Sequence, residues 1–155
     1  MDVDVYGKAP SSKVGQYFCN SIGWWNPLWS YCEKIAPDLI PTVNLGHSRN
    51  GWGLTSDASR TLSGHLMAAI ESGHTKRYAD RYQKKLEALP LEPCTICGAT
   101  GKRTEPPRTG PGEMHCNGCN GLGQALNPAC HYPFEVENVQ AFAEFLRDCG
   151  GFEIH

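Results

Sequence analysis

Two Cys-x-x-Cys pairs constrain this chain more than any other feature of its sequence. Cys94 and Cys97 form the first pair, Cys116 and Cys119 form the second, and residues 98–115 separate them. This spacing is typical of four-cysteine zinc sites. Two residues between the cysteines of a pair let the backbone turn so that both thiolates face one ion, and four thiolates complete a closed tetrahedral shell. We therefore predict one structural Zn²⁺ bound by these four cysteines.

The segment between the pairs has almost nothing to bury. Residues 98–115 contain two adjacent prolines, several glycines and charged side chains of both signs, which predicts an exposed loop or hairpin tip. A zinc ion, which contributes about 10–16 kcal/mol in small fingers, would replace the missing hydrophobic core. A redox pair is the alternative, but it would open a helix, whereas glycines follow both pairs. His115, Cys130 and His131 lie outside the pairs, and we expect them not to be ligands.

Both pairs resemble a known zinc-binding repeat. CNGCNGLG, residues 116–123, matches the C-x-x-C-x-G-x-G repeat of the cysteine-rich region of DnaJ-type co-chaperones, and CTICGATG, residues 94–101, resembles it with Ala99 at the first glycine. In that family such repeats, or knuckles, pair across a β-hairpin to hold one zinc, so the resemblance implies a zinc-holding hairpin here. The family has four repeats and a His-Pro-Asp tripeptide. This chain has two repeats and no such tripeptide, so the ATPase-stimulating role is not implied.

Composition limits the remaining possibilities. A chain of 155 residues with 40% hydrophobic residues, 17 glycines and 11 prolines is typical of one domain, or a domain plus a small module, with a modest core. The net charge of −2 provides no overall attraction for nucleic acid or anionic membranes. The first residues lack the profile of a signal peptide, and no apolar run approaches the roughly 18 residues of a membrane helix. We expect a soluble, cytoplasmic protein whose cysteines are metal ligands or buried thiols rather than disulfides.

Three helices are predicted before the cysteine pairs. Asn26-Pro27 is typical of a helix start with proline in the first turn, and Pro37 ends that helix. Thr55, Ser56 or Asp57 can cap the second helix, which Gly73 ends. In the second helix His65 falls near the apolar face, so we expect a hydrogen-bonded core residue. The third helix ends before Pro90.

The C-terminal segment predicts a fourth helix that ends at the glycines 150–151, followed by a short strand at residues 152–154. Its apolar face has nothing to cover in a glycine-rich knuckle, so we expect it to pack on the N-terminal helices. The predicted fold class is α+β, mainly α: a small helical body formed by both chain ends, with an inserted zinc-binding β-hairpin. Residues 1–90 form the N-terminal body, 91–124 the zinc insertion, and 125–155 the returning helix.

A ligand pocket is one interpretation of the tryptophan-rich segment and the glycine-rich loop that follows it. The loop, residues 44–59, leads into the predicted second helix, where free amides and the helix N-terminus suit an anion. The candidate residues for a nucleotide or another phosphate-bearing ligand are Trp24, Trp25, His47, Arg49, Asn50 and Trp52. The alternative is that the tryptophans form core and that the loop is ordinary turn structure, since no nucleotide-binding fingerprint is present.

The third predicted helix, residues 74–87, has a basic face. Its cationic side chains are Lys76, Arg77, Arg81, Lys84 and Lys85. Such a face is usually solvated surface, and binding of nucleic acid or of an acidic partner is the alternative. A zinc ion with four thiolates has a charge of −2, which disfavours duplex DNA near the knuckles.

No catalytic residues are predicted, because the chain lacks a recognised catalytic motif or an arrangement of paired carboxylates. An enzyme remains the residual class. The favoured hypothesis is a non-enzymatic, zinc-stabilised binding protein whose nearly neutral hairpin contacts a protein partner, since a tip rich in proline and glycine offers shape and backbone groups rather than charge.

The whole chain also looks like a family of small proteins from bacteria and their phages that has no assigned activity. The residues that support this resemblance are Trp25 to Trp29 with Tyr31, Glu71 to Gly73, His131 to Phe134 and Cys149 to Ile154. The resemblance implies a bacterial or phage origin and no mechanism.

Overall fold

Four α-helices and seven short β-strands make up the chain, so the α+β class is confirmed. A computed structural model describes residues 1–155. In chain order the elements are β1 (Asp2–Gly7), β2 (Tyr17–Ser21), α1 (Ile22–Ile35), α2 (Ser56–Glu71), α3 (His74–Glu87), β3 (Glu92–Pro93), β4 (Lys102–Arg103), β5 (Met114–His115), β6 (Gln124–Ala125), α4 (Val136–Asp148) and β7 (Phe152–Ile154). A 3₁₀ turn, Pro128–His131, precedes α4.

The chain divides into two compact units. The first unit combines Met1–Lys84 with Tyr132–His155, and the second unit is Lys85–His131. Aliphatic and aromatic side chains from the helices and the N-terminal sheet form the core of the first unit. In the second unit the buried cluster consists of four cysteines, with Ile96 packed against it. The two units therefore depend on different kinds of interior.

The first unit contains a hairpin that was not among the predicted elements. Strand β1 pairs antiparallel with β2 on one side and with β7 on the other. Val3 and Val5 are buried while the residues between and around them are more exposed, the alternation expected of a strand with one covered face. The short strand predicted at residues 152–154 is confirmed as β7, with Ile154 opposite Val5.

Helix α1 begins earlier than predicted. It starts at Ile22, and Pro27 lies inside it, so the assignment of Pro27 to the first turn was wrong. Proline has no N–H, which removes one hydrogen bond to the carbonyl of Gly23. Burial of Trp25 and Trp29 on this helix offsets that loss, because burying a large apolar side chain contributes about 1.5–3 kcal/mol.

The boundaries of α2 follow local signals. Thr55 is the N-cap, and its hydroxyl accepts a hydrogen bond from the N–H of Ala58 at 3.3 Å. Gly73 has a φ of +78°, follows the C-cap residue Ser72 and separates the helix from α3. His65 is exposed, so its predicted place in the core was wrong. The face of α2 that holds His65 turns away from the core.

Helix α4 packs against α2. The buried Ser63 hydroxyl on α2 donates a hydrogen bond to the Ala143 carbonyl at 2.6 Å, and Phe142 and Leu146 are fully buried. All eight cysteines of the chain are free thiols. None of the helices is long and apolar enough to cross a membrane.

Gly46 allows a close approach that any side chain would prevent. A Cβ at this position would lie 1.9 Å from Nε1 of Trp29. We expect Gly46→Ala to destabilise the protein by about 1–3 kcal/mol, the usual cost of overpacking. Urea unfolding followed by tryptophan fluorescence would measure this.

Gly64 provides the matched control, because a Cβ there would meet nothing within 4 Å. Gly64 lies inside α2, so Gly64→Ala should stabilise the protein by roughly 0.5–1 kcal/mol. If both variants changed the free energy of unfolding in the same direction, this result would contradict the packing described for Gly46.

Candidate metal centre

The four predicted ligands lie together. The sulfur atoms of Cys94, Cys97, Cys116 and Cys119 all lie within 4.8 Å of one another, and all four residues are buried. The Sγ atoms of Cys94 and Cys116 are 3.9 Å apart, and those of Cys97 and Cys119 are 3.7 Å apart. In a tetrahedral shell with metal–sulfur bonds of about 2.3 Å, neighbouring sulfurs are about 3.8 Å apart. The cluster therefore has the dimensions of a four-thiolate metal site.

One antiparallel hairpin positions the four cysteines. Strand β3 pairs with β6, with Glu92 opposite Ala125, and β4 pairs with β5, with Lys102 opposite His115. Both strand pairs have the same register, so they are two stretches of one hairpin. The knuckles, residues 94–101 and 116–123, occupy equivalent places between these stretches. The first knuckle supplies two thiols from one side of the hairpin, and the second knuckle supplies two from the other side.

The two knuckles have the same local structure. The N–H of Gly101 donates to the sulfur of Cys97 at 3.3 Å, and the N–H of Gly123 donates to Cys119 at 3.2 Å. Equivalent backbone bonds of 2.9 Å join Ala99 to Cys94 and Gly121 to Cys116. Hydrogen bonds to sulfur favour the charged thiolate, the form that binds metal.

Left-handed backbone makes these turns. The residues with positive φ are Gly98, Ala99 and Gly101 in the first knuckle, and Asn120, Gly121 and Gly123 in the second. At two of these positions space also requires glycine: a Cβ on Gly101 would lie 2.4 Å from the Gly121 carbonyl oxygen, and one on Gly123 would lie 2.5 Å from that of Ala99. Ala99 itself, at φ +65°, holds a conformation that is unfavourable for alanine.

Cys97 in the cluster and Cys32 in the core of the first unit differ in how their surroundings act on the thiol. Burial alone would raise the pKa of Cys97, but hydrogen bonds from the Gly101 N–H and from the neighbouring cysteines together lower it to about 6. Burial raises the pKa of Cys32 far above its usual value, so this thiol stays protonated. Cys130 is outside the cluster, as predicted, and its sulfur lies 3.8 Å from the Leu86 carbonyl.

The tryptophans proposed for a ligand pocket mainly form core. Trp25 is fully buried, stacks on Trp29 with ring centroids 5.5 Å apart, and donates from Nε1 to the Gly46 carbonyl at 2.8 Å. Trp52 is partly buried and meets Trp29 edge-on at 5.6 Å. Trp25 is therefore closed to a ligand. For this residue the structure agrees with the alternative interpretation, in which the tryptophans form core.

The polar candidates of the same pocket have partners within the chain. His47 lies 3.2 Å from Asn26 and 3.5 Å from a Glu33 carboxylate oxygen, and Arg49 donates to the Asp2 carbonyl at 3.4 Å. Trp24 is half-buried and Asn50 is exposed. Trp25, being fully buried, does not line a surface site with the other candidates. Binding of a phosphate-bearing ligand at this loop stays a prediction.

The basic residues of α3 are all exposed, as expected of a solvated surface. Lys76 is paired with Asp80, and Arg77 donates to the Ser72 carbonyl at 3.3 Å. These contacts neutralise or occupy part of the basic face. Nucleic-acid binding through α3 also stays a prediction.

Comparison with protein-family models, with curated proteins and with solved structures finds no match to this chain. Its function is therefore inferred from its own residues.

The strained Ala99 generates a prediction for the first knuckle. Ala99→Gly should stabilise the second unit by up to about 1 kcal/mol, because glycine adopts positive φ without the steric penalty. Gly123→Ala should instead prevent the knuckle from closing, owing to the 2.5 Å approach of Ala99. The measurement is the chelator concentration that removes bound metal.

Ala141→Gly is the control for Ala99→Gly. Ala141 is exposed within α4, where glycine costs about 1 kcal/mol and metal retention should not change. Lower metal retention in Ala99→Gly than in the unaltered protein would contradict the strain assigned to Ala99.

Proposed function

We propose that this protein is a non-enzymatic binding protein whose second unit is held together by one structural Zn²⁺. The observation that supports this most directly is the tetrahedral spacing of four buried thiols. Four thiolates fill the coordination shell of zinc and leave no position for a substrate or an activated water. The ion would therefore stabilise structure rather than take part in a reaction.

Zinc is the metal that fits these donors best. Tetrahedral thiolate sites favour zinc or iron among the biological metals. The likeness of both knuckles to the zinc-binding repeats of DnaJ-type co-chaperones supports zinc over iron, and it extends to zinc binding alone. A bacterial or phage origin rests on the whole-chain resemblance and is part of the same proposal.

Metal analysis tests the zinc site. Purified protein should contain one zinc per chain and no stoichiometric iron, as measured by elemental analysis. Cys116→Ser should abolish this content, since it removes one of four ligands. Cys130→Ser should retain it, because Cys130 belongs to the same unit but lies outside the cluster. Equal zinc content in both variants would refute the assignment.

Hydrogen exchange tests the structural role of the ion. On zinc removal, backbone amides between Lys85 and His131 should lose protection, because this unit buries little besides its cysteines. The amides of α2 and α4 should remain protected by their own core. Unchanged protection in the second unit after complete metal removal would mean that the ion is not structural.

The surface of the second unit supports a protein partner. Its exposed large apolar side chains are Leu89, Leu91, Met114, Leu122 and Leu126. Glu92 lies opposite Ala125, so the same register continued by one residue would put Leu91 opposite Leu126, and these side chains are 53% and 62% exposed. Neighbouring exposed leucines on a small metal-stabilised hairpin are typical of a contact surface rather than of a solvated loop.

Charge also favours a protein over a nucleic acid for this surface. Lys102, Arg103 and Arg108 are accompanied by Glu105 and Glu113. The guanidinium of Arg103 donates to the carbonyls of Thr104 and Arg108 at 3.1 and 3.0 Å, so it is partly occupied within the hairpin. A nearly neutral surface with exposed leucines suits the apolar centre of a protein interface.

A double variant tests the partner surface. Leu91→Ser with Leu126→Ser should abolish retention of proteins that bind the immobilised wild-type chain, since it removes the paired leucines without touching the metal ligands. Val43→Ser, at an 89% exposed position in the first unit, is the matched control and should retain them. Retention by the double variant equal to wild type would exclude this surface, provided that its zinc content is unchanged.

A further inference from the structure

The first unit contains a cavity that the zinc site does not use. It has a volume of about 720 Å³ and lies between α1, α2 and α3. This volume is within the range of small-molecule sites, about 300–1,000 Å³. Its lining residues are Tyr31, Lys34, Ile35, His65, Ala68, Ala69, Ser72, His74, Tyr78 and Arg81. None of the tryptophans or loop residues considered above belongs to it.

The charged groups of this cavity are all potential cations. Lys34 comes from α1 and Arg81 from α3, and the lining includes no carboxylate. Neither residue takes part in an ion pair. The Lys34 ammonium lies 5.2 Å from the Tyr78 ring centroid and 3.4 Å from its hydroxyl, so an aromatic ring and not an anion accompanies it. Two unneutralised positive charges on facing helices favour an anionic ligand.

Two imidazoles add hydrogen-bonding capacity. The Tyr31 hydroxyl lies 2.9 Å from Nδ1 of His74 and 2.9 Å from the Thr75 hydroxyl. Burial raises the pKa of Tyr31, which keeps this hydroxyl protonated. When Thr75 donates to Tyr31 and Tyr31 donates to Nδ1, the Nε2 of His74 carries the ring hydrogen. His65 lies exposed on α2, so it is also available to a ligand.

The rest of the lining is apolar. Ile35, Ala68 and Ala69 contribute aliphatic surface, and the rings of Tyr31 and Tyr78 lie 4.7 Å apart. The cavity thus combines cationic groups with a hydrophobic part, the usual composition of a site for an organic ligand with a charged end. Inorganic anions would leave the apolar part without a partner.

We propose that this cavity binds a small organic phosphate. Lys34 and Arg81 match the charge of a phosphate monoester, which is about −1.5 to −2 at neutral pH. His74 and His65 donate hydrogen bonds to the phosphate oxygens, while the aliphatic and tyrosine side chains cover an aromatic or apolar body. This site is separate in residues and in chemistry from the zinc cluster, so either proposal can fail without the other.

Phenyl phosphate is a suitable probe for the zinc-loaded full chain. In a titration followed by amide chemical shifts in NMR, it should cause saturable shifts at residues that line the cavity. Phenol and inorganic phosphate should each bind at least about tenfold more weakly, equivalent to about 1.4 kcal/mol, because each lacks one half of the recognised chemistry. Raising the ionic strength should weaken the binding of phenyl phosphate.

Charge-removing variants locate the site. Arg81→Gln and Lys34→Gln should each weaken the binding of phenyl phosphate at least fivefold. Both residues are exposed, so the fold should persist, with the thermal midpoint as the check. Lys84→Gln is the matched control, because Lys84 is an exposed cation of the same helix that does not line the cavity, and it should bind as wild type does.

Several results would overturn the proposal. These are the absence of saturable shifts, shifts confined to residues outside the cavity, and unchanged affinity in both Arg81→Gln and Lys34→Gln. Binding of phenol as tight as that of phenyl phosphate would show a merely apolar site. Binding of inorganic phosphate as tight as that of phenyl phosphate would remove the organic part of the assignment.

Discussion

The convergence of four cysteine sulfurs is the interaction on which the second unit depends. Ordering a residue's backbone costs about 1–2 kcal/mol, and a unit of this size normally recovers that cost by burying apolar side chains. Here the buried cluster is four cysteines with Ile96 against it, so little hydrophobic stabilisation is available. A bound metal ion, which contributes about 10–16 kcal/mol in small zinc fingers, would supply what is missing. Gly101 and Gly123, whose N–H groups donate to the sulfurs of Cys97 and Cys119, follow from the need to bring the four sulfurs together.

A four-thiolate metal shell would be closed, so the proposed function of this unit is assigned to its surface. The hairpin displays leucines at its base and a polar, proline-rich tip between β4 and β5. The two knuckles occupy equivalent places in one hairpin register, and this register, continued one residue beyond β3 and β6, would put Leu91 opposite Leu126. The candidate metal site and the proposed contact surface would thus be linked, because an ion bound by the four cysteines would hold together the strands that flank the leucines.

The first unit is stabilised by a hydrophobic core instead. Its tryptophans, stacked or edge-on around Trp29, fill an ordinary hydrophobic core, and the glycine-rich loop covers that core through the close approach of Gly46 to Trp29. Trp25, which is fully buried and stacked on Trp29, is closed to a ligand. The space that remains lies between α1, α2 and α3, where Lys34 and Arg81 face a partly apolar cavity without a neutralising carboxylate. Small-molecule binding is therefore proposed for this cavity and not for the tryptophans.

The sequence by itself determined the features that depend on local spacing. The positions of Cys94 and Cys119 within two short repeats predicted the metal cluster, and Thr55 and Gly73 predicted the ends of α2, because turns and caps involve residues close in the chain. Only the tertiary structure decided that Pro27 lies within a helix, that Trp25 is core, that His65 is exposed, and that Lys34 and Arg81 share a cavity. These outcomes depend on which helix faces meet, and that choice is made by the packing energy of side chains distant in sequence, which no local pattern contains.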